Sequence, residues 1–181
     1  MMKTTKGHRL KWTVPLVIFL AMIIDASIPS IFPSAFLANQ QIITSHLLLY
    51  FVVSFAFYFR DSNILVYSFI IGLYYDLYNT TILGINATLY VVIAYLVLKI
   101  KKYFPKKPYI HYMIYVICIT LLDTMTYLFY LEINIARVTM IDFLVMRLTP
   151  TLIYNTVLAF VIYFPAKSLM RWLGYNEYVI I

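Results

Sequence analysis

Lys99-Ile100-Lys101-Lys102-Tyr103-Phe104-Pro105-Lys106-Lys107-Pro108 places five lysines and two prolines within ten residues, flanked by apolar runs at 84–98 and 109–131. A basic, proline-stiffened connection between two such runs is what a chain needs when it leaves a membrane and re-enters it. Outward from this loop the alternation continues. Apolar runs lie at roughly 13–32, 43–59, 64–78, 84–98, 109–131 and 143–164. Hydrophobic residues make up 64% of the 181 positions, against roughly 45–50% in a soluble domain, so a water-soluble core is excluded.

Charge orders the spans. Lys3, Lys6, Arg9 and Lys11 precede the first run, Arg60 separates the second from the third, the lysine loop follows the fourth, and Lys167 and Arg171 follow the sixth. The opposite connections, 33–42, 79–83 and 132–142, carry Arg137 alone. The expectation is an all-α polytopic membrane protein of about six transmembrane helices, with both termini and the lysine loop cytoplasmic. The third and fourth runs, at about 15 residues, fall short of the ~20 that cross the hydrocarbon layer. They form a short hairpin over 64–98 or a single re-entrant element, and the latter would lower the span count. Residues 1–12 read as a basic cytoplasmic N-terminus, 13–165 as one transmembrane domain and 166–181 as a cytoplasmic or interfacial tail. A first run as long as 13–32, with Asp25 inside it and further spans after it, reads as a retained anchor rather than a cleaved signal.

The net charge of +7 is thus an orientation signal and a patch for anionic lipid headgroups. Nucleic-acid binding is not expected, since no extramembrane domain carries basic residues interleaved with aromatics. Cys118 lies within the fifth run and suits core packing. His8, His46 and His111 have no ligand spacing, so neither a metal, a cofactor nor a catalytic group is indicated.

The groups that are costly inside a membrane are the candidate packing or partner contacts. Asp25 and Asp123 lie near the middle of the first and fifth runs, where a free carboxylate costs about 2.5–3.5 kcal/mol. Each must therefore meet protein or water, or be protonated. Arg147 either snorkels or pairs with Asp142 or Glu132. Ser68, Gly72, Asp76, Asn79 and Thr80 recur at helical spacing, and Gly84 and Asn86 follow. This predicts a tight helical hairpin in which Gly84 supplies the turn or a close approach and Asp76 caps or hydrogen-bonds across it. Pro29 and Pro33 are expected to end the first span and Pro165 the last, while Pro150, ahead of Asn155, suggests a kink or a late helix start. Trp12, Trp172 and the 18 tyrosines suit interfacial anchoring and packed helix surfaces. Residues 167–178 read as a short interfacial helix with Leu169, Met170, Trp172, Leu173 and Tyr175 toward lipid.

Gly72-Leu73-Tyr74-Tyr75-Asp76-Leu77, continuing through Leu83-Gly84-Ile85-Asn86-Ala87, resembles the Gly-Leu-x-x-Asp-Leu and Leu-Gly segments of the MreD family. The Asp25 run and Leu148-x-Pro150-Thr151-Leu152-x-x-Asn155 are similar to that family too, and the likeness covers most of 11–165. It implies a nonenzymatic, multi-pass scaffold in the bacterial cytoplasmic membrane. Such a scaffold works with an MreC-like membrane protein and connects, directly or through it, to MreB filaments and the RodA and class B penicillin-binding-protein pair that builds peptidoglycan. The alternative is a small substrate-binding subunit of an energy-coupling-factor vitamin transporter. Ala21-Met22-Ile23-Ile24-Asp25-Ala26 lacks the four-residue alanine repeat expected of many such subunits. An intramembrane enzyme would need two of Asp25, Asp76 and Asp123 brought together.

Overall fold

The computed structural model describes residues 3–38, 41–59, 63–79, 82–135 and 137–175, with the side chains of 3–9, 35, 37, 38 and 79 outside the description. Arg60, Thr80 and positions 176–178 of the expected interfacial helix, together with the side chains of His8 and Asn79, therefore lie outside the described residues. The chain is helical almost throughout: α1 Lys3–Ile31, α2 Pro33–Phe36, α3 Leu47–Tyr58, α4 Ile64–Asn79, α5 Ile85–Ile100, α6 Pro108–Glu132, α7 Met140–Phe143 and α8 Thr149–Trp172. A π-helical turn, Leu144–Leu148, joins α7 to α8. Leu37–Ala38 (β1) and Gln41–Ile42 (β2) form a small antiparallel ribbon pairing Leu37 with Ile42 and Ala38 with Gln41.

Three helical stretches are long and apolar enough to cross a membrane: Leu10–Ile31, Pro108–Glu132 and Met140–Trp172. The other three apolar helices are shorter. α4 and α5, at 16 residues each, span about 24 Å at 1.5 Å per residue. They stand as two helices packed on each other as a hairpin.

α3 is the centre. Its sequence, LLLYFVVSFAFY, is apolar on every face and buries ten of its twelve residues, as expected of a helix with no solvent side. α1, α4, α5, α6 and α8 all pack against it. The core residues Val14, Ile18, Val53, Phe55, Ile93 and Ile119 are each no more than 1% exposed. Cys118 belongs to this core, the packing role its position indicated.

Several boundaries differ from the sequence expectation. The second run, drawn as helical from 43, is helical only from Leu47; residues 43–46 are irregular because side chains of other helices supply their hydrogen bonds, as described below. The first helix passes through Pro29 and ends at Ile31, so Pro33, which opens α2, marks the break; a proline forces the chain out of helix at the residue before it. Pro165 does not close the last helix, which continues to Trp172. The extension is held by packing: Ala166, Met170 and Leu173 are buried in the main core while Pro165 faces outward. Accordingly, 167–172 is no separate interfacial helix, and Met170 and Leu173 face protein instead of lipid. Trp12 and Trp172 remain outward, 68% and 56% exposed.

Candidate functional site

Asp76 is the simplest of the buried carboxylates to follow. It lies three residues before the end of α4 and is 1% exposed. Oδ2 accepts hydrogen bonds from the backbone N–H of Gly84 (2.9 Å) and of Ala87 (3.1 Å). Oδ1 accepts from the backbone N–H of Asn86 (3.2 Å) and from Asn86 Nδ2 (2.8 Å). Gly84 is the residue preceding α5, so Asp76 caps the next helix from outside it, satisfying amides that have no partner within a first helical turn. Gly84 holds φ +102°, a conformation open to glycine, and no atom approaches the position its Cβ would occupy. The close approach is at Gly72, where an added Cβ would lie 2.5 Å from the Ala87 Cα. The two glycines thus divide the roles the sequence left together: Gly84 turns the chain and Gly72 lets the helices touch. Ser68, one turn before Gly72, is buried with a hydroxyl that has no hydrogen-bond partner among the described residues.

Asp25 repeats the device. Its Oδ1 accepts from Ser45 Oγ and from the Leu47 N–H (2.9 Å), and its Oδ2 from the Leu48 N–H (2.6 Å). These amides open α3. At the other end of α3, Lys101 Nζ donates to the carbonyls of Ala56 (2.6 Å) and Phe59 (2.7 Å), and Lys106 Nζ to that of Tyr58 (3.3 Å). The central helix therefore has a carboxyl group accepting from its first amides and lysines donating to its last carbonyls, the sense its dipole favours.

The irregular segment leading into α3 is fastened by residues far along the chain. The Thr44 N–H donates to Thr151 Oγ1 (3.1 Å), and Asn155 Nδ2 donates to the Thr44 carbonyl (2.7 Å). The His46 N–H donates to Asn155 Oδ1 (2.8 Å), and the Tyr115 hydroxyl to the His46 carbonyl (3.2 Å). Non-helical backbone inside a membrane protein persists only when its polar groups are met in this way. His46 Nε2 lies 3.3 Å from both carboxylate oxygens of Asp123. Asp25, Asp123 and Asn155, on α1, α6 and α8, thus converge on residues 44–48. Asp76 serves a different helix start, that of α5.

Arg147 departs from both pairings considered for it. It makes no ion pair with Asp142 or Glu132; Asp142 instead accepts from Thr139 Oγ1 (2.7 Å) in a local cap. Arg147 stands on the wall of a cavity of about 330 Å³ that it shares with Asp123, His46 and Asn86. The π-helical turn carries it there. The Thr149 N–H and Oγ1 both turn to the Leu144 carbonyl five residues back, and Pro150 follows as one of the first residues of α8. Proline has no N–H and its ring crowds the carbonyl four residues earlier, so the kink or late start expected at Pro150 takes the form of a widened turn.

His46, Ser45, Thr44, Thr151 and Tyr115 were not among the candidate contacts expected from the sequence, although Thr151 lies in the family-like stretch 148–155. Their signal was present: Thr44-Ser45-His46 ahead of Leu47-Leu48-Leu49 is a polar lead-in of the kind that starts helices, but it was absorbed into an apolar span. Among the described residues no group of three or more His, Cys, Asp or Glu is placed to hold a metal ion.

Residues 6–173 match a family model described as rod shape-determining protein MreD. No curated protein and no solved structure matches the chain.

Proposed function

Because this chain belongs to the MreD family of rod shape-determining membrane proteins, we propose that it is a nonenzymatic scaffold of the cell-elongation machinery, docked in the bacterial cytoplasmic membrane to an MreC-like partner. The family match over residues 6–173 carries the reading. The disposition of polar groups supports it. Asp25, Asp76, Asn155 and Lys101 are all engaged in holding helix ends of this chain. The outer face of α8, by contrast, presents Ile153, Val157, Phe160, Val161 and Phe164, an apolar ridge for lipid or for a neighbouring helix. The partner couples the scaffold to MreB filaments and to the RodA and class B penicillin-binding-protein pair.

In the proposed arrangement the chain crosses six times, α3, α4 and α5 being the short crossings, with both termini and 99–108 cytoplasmic. The lysines of that loop that do not cap α3 face anionic headgroups. One observation favours the other reading, a substrate-binding subunit of a vitamin transporter: the polar cavity beside Arg147. Coexpression with an MreC-like protein separates the two. A detergent-stable complex that survives high salt is expected, because apolar packing is not screened as a surface ion pair is. Recovery of an energising transporter module and a defined vitamin, with no elongation component, would replace the scaffold reading.

A further inference from the structure

The cavity beside Arg147 presents a guanidinium that, among the described residues, no carboxylate reaches at ion-pair distance. Its wall carries one carboxylate, Asp123, and that carboxylate is paired with His46 at 3.3 Å. Among the described residues Arg147 forms no ion pair, and its Nε is buried without a hydrogen-bond partner. A guanidinium has five N–H donors and cannot shed its proton, and leaving one uncompensated inside a membrane protein is costly. Tyr75, Tyr90 and Tyr130 line the same space, adding aromatic surface and phenolic hydroxyls near the cation. The volume, about 330 Å³, is within the range of small-molecule sites. The segment that presents Arg147 is the π-helical turn, a local irregularity of the kind that recurs at functional positions.

We propose that this cavity is a binding site for the carboxylate or phosphate of a small anionic ligand, held by Arg147, with His46 and Asp123 on the opposite wall. The anion lies on the Arg147 side, since Asp123 repels it. A hydroxyl or amide elsewhere on the ligand faces Asp123 and Asn86. The anionic group belongs either to a soluble metabolite or to a lipid headgroup, since one guanidinium fork accepts both.

The test uses the purified full-length protein in detergent, melted with sodium benzoate, inorganic phosphate or dihexanoyl phosphatidic acid, each against sodium chloride of equal ionic strength. At least one anion should raise the melting temperature of the wild type in a saturable manner. Response to benzoate or phosphate assigns a soluble source; response to phosphatidic acid alone assigns a lipid. Arg147→Met should abolish the response yet melt close to the unliganded wild type, because the substitution breaks no ion pair of the described residues. Arg147→Lys should keep the charge but lose the fork, raising the half-saturating concentration roughly tenfold or more. The proposal is overturned if no anion acts beyond the chloride control, if the response persists in Arg147→Met, or if Arg147→Met melts well below wild type. It is also overturned if stabilisation requires a coexpressed membrane partner, which would give the cavity to that partner's acidic side chain. Ligand binding is read on the chain alone, so its failure leaves the docking of an MreC-like protein untouched.

Discussion

A buried aspartate in a membrane protein is a natural suspect for proton or substrate transfer, yet Asp25 and Asp76 each have both oxygens engaged by the opening amides of a following helix. What favours a carboxylate there is its double acceptor character: alanine would leave two or three backbone donors bare, at about 1–3 kcal/mol apiece. Asp25→Ala is therefore expected to lose at least about 3 kcal/mol of stability or to abolish folded yield. Asp142→Ala, at an exposed local cap, should cost about 1 kcal/mol, and thermal melting of the two proteins side by side checks the ranking. Asp76→Asn should also melt lower, because an amide must turn one N–H toward the N–H groups it replaces an acceptor for. The affinity of its folded fraction for an MreC-like partner should be unchanged, since Asp76 is enclosed within the chain. A fall in affinity without a fall in stability would return Asp76 to the partner interface.

The helical hairpin α4–α5 was legible before any coordinates, because its determinants are close in sequence: Asp76 reaches donors only eight to eleven residues ahead. Its glycines make separable predictions. Gly84→Ala meets no atom but must hold φ +102°, a penalty of about 1–2 kcal/mol. Gly72→Ala drives a methyl into the Ala87 backbone, so it should separate the two helices and lower the melting temperature more. Ala87→Gly should not rescue it, since the obstacle is a Cα that glycine also has. Equal losses for the two glycine variants would show that the contact at Gly72 relaxes. The centre of the site, in contrast, was out of reach of local pattern. Asp25, Asp123 and Asn155 each read as an isolated anomaly, because the residues each one bonds within their common target, 44–48, are 20 or more positions away. Arg147 misled for a related reason: its nearest carboxylates along the chain, Asp142 and Glu132, are not those its turn presents it to.

At the scale of the whole molecule, Lys101 has a second role: a loop lysine expected to orient the chain also closes the end of the central helix. Single cysteines at Phe104 and Val138, introduced with Cys118 replaced by alanine, test the orientation in intact cells. A membrane-impermeant thiol reagent should label position 138 and leave position 104 unmodified until the membrane is permeabilised; the reverse pattern would invert the molecule. The fastening of residues 44–46 bears on events before the molecule is complete. Thr44 is bonded to Asn155, 111 residues further on, an interval a ribosome takes on the order of ten seconds to translate. Throughout that delay the emerging chain holds an unsatisfied stretch of backbone next to its most apolar helix. Residues 43–58 are therefore expected to need shelter during synthesis until Asn155 on α8 arrives to meet them.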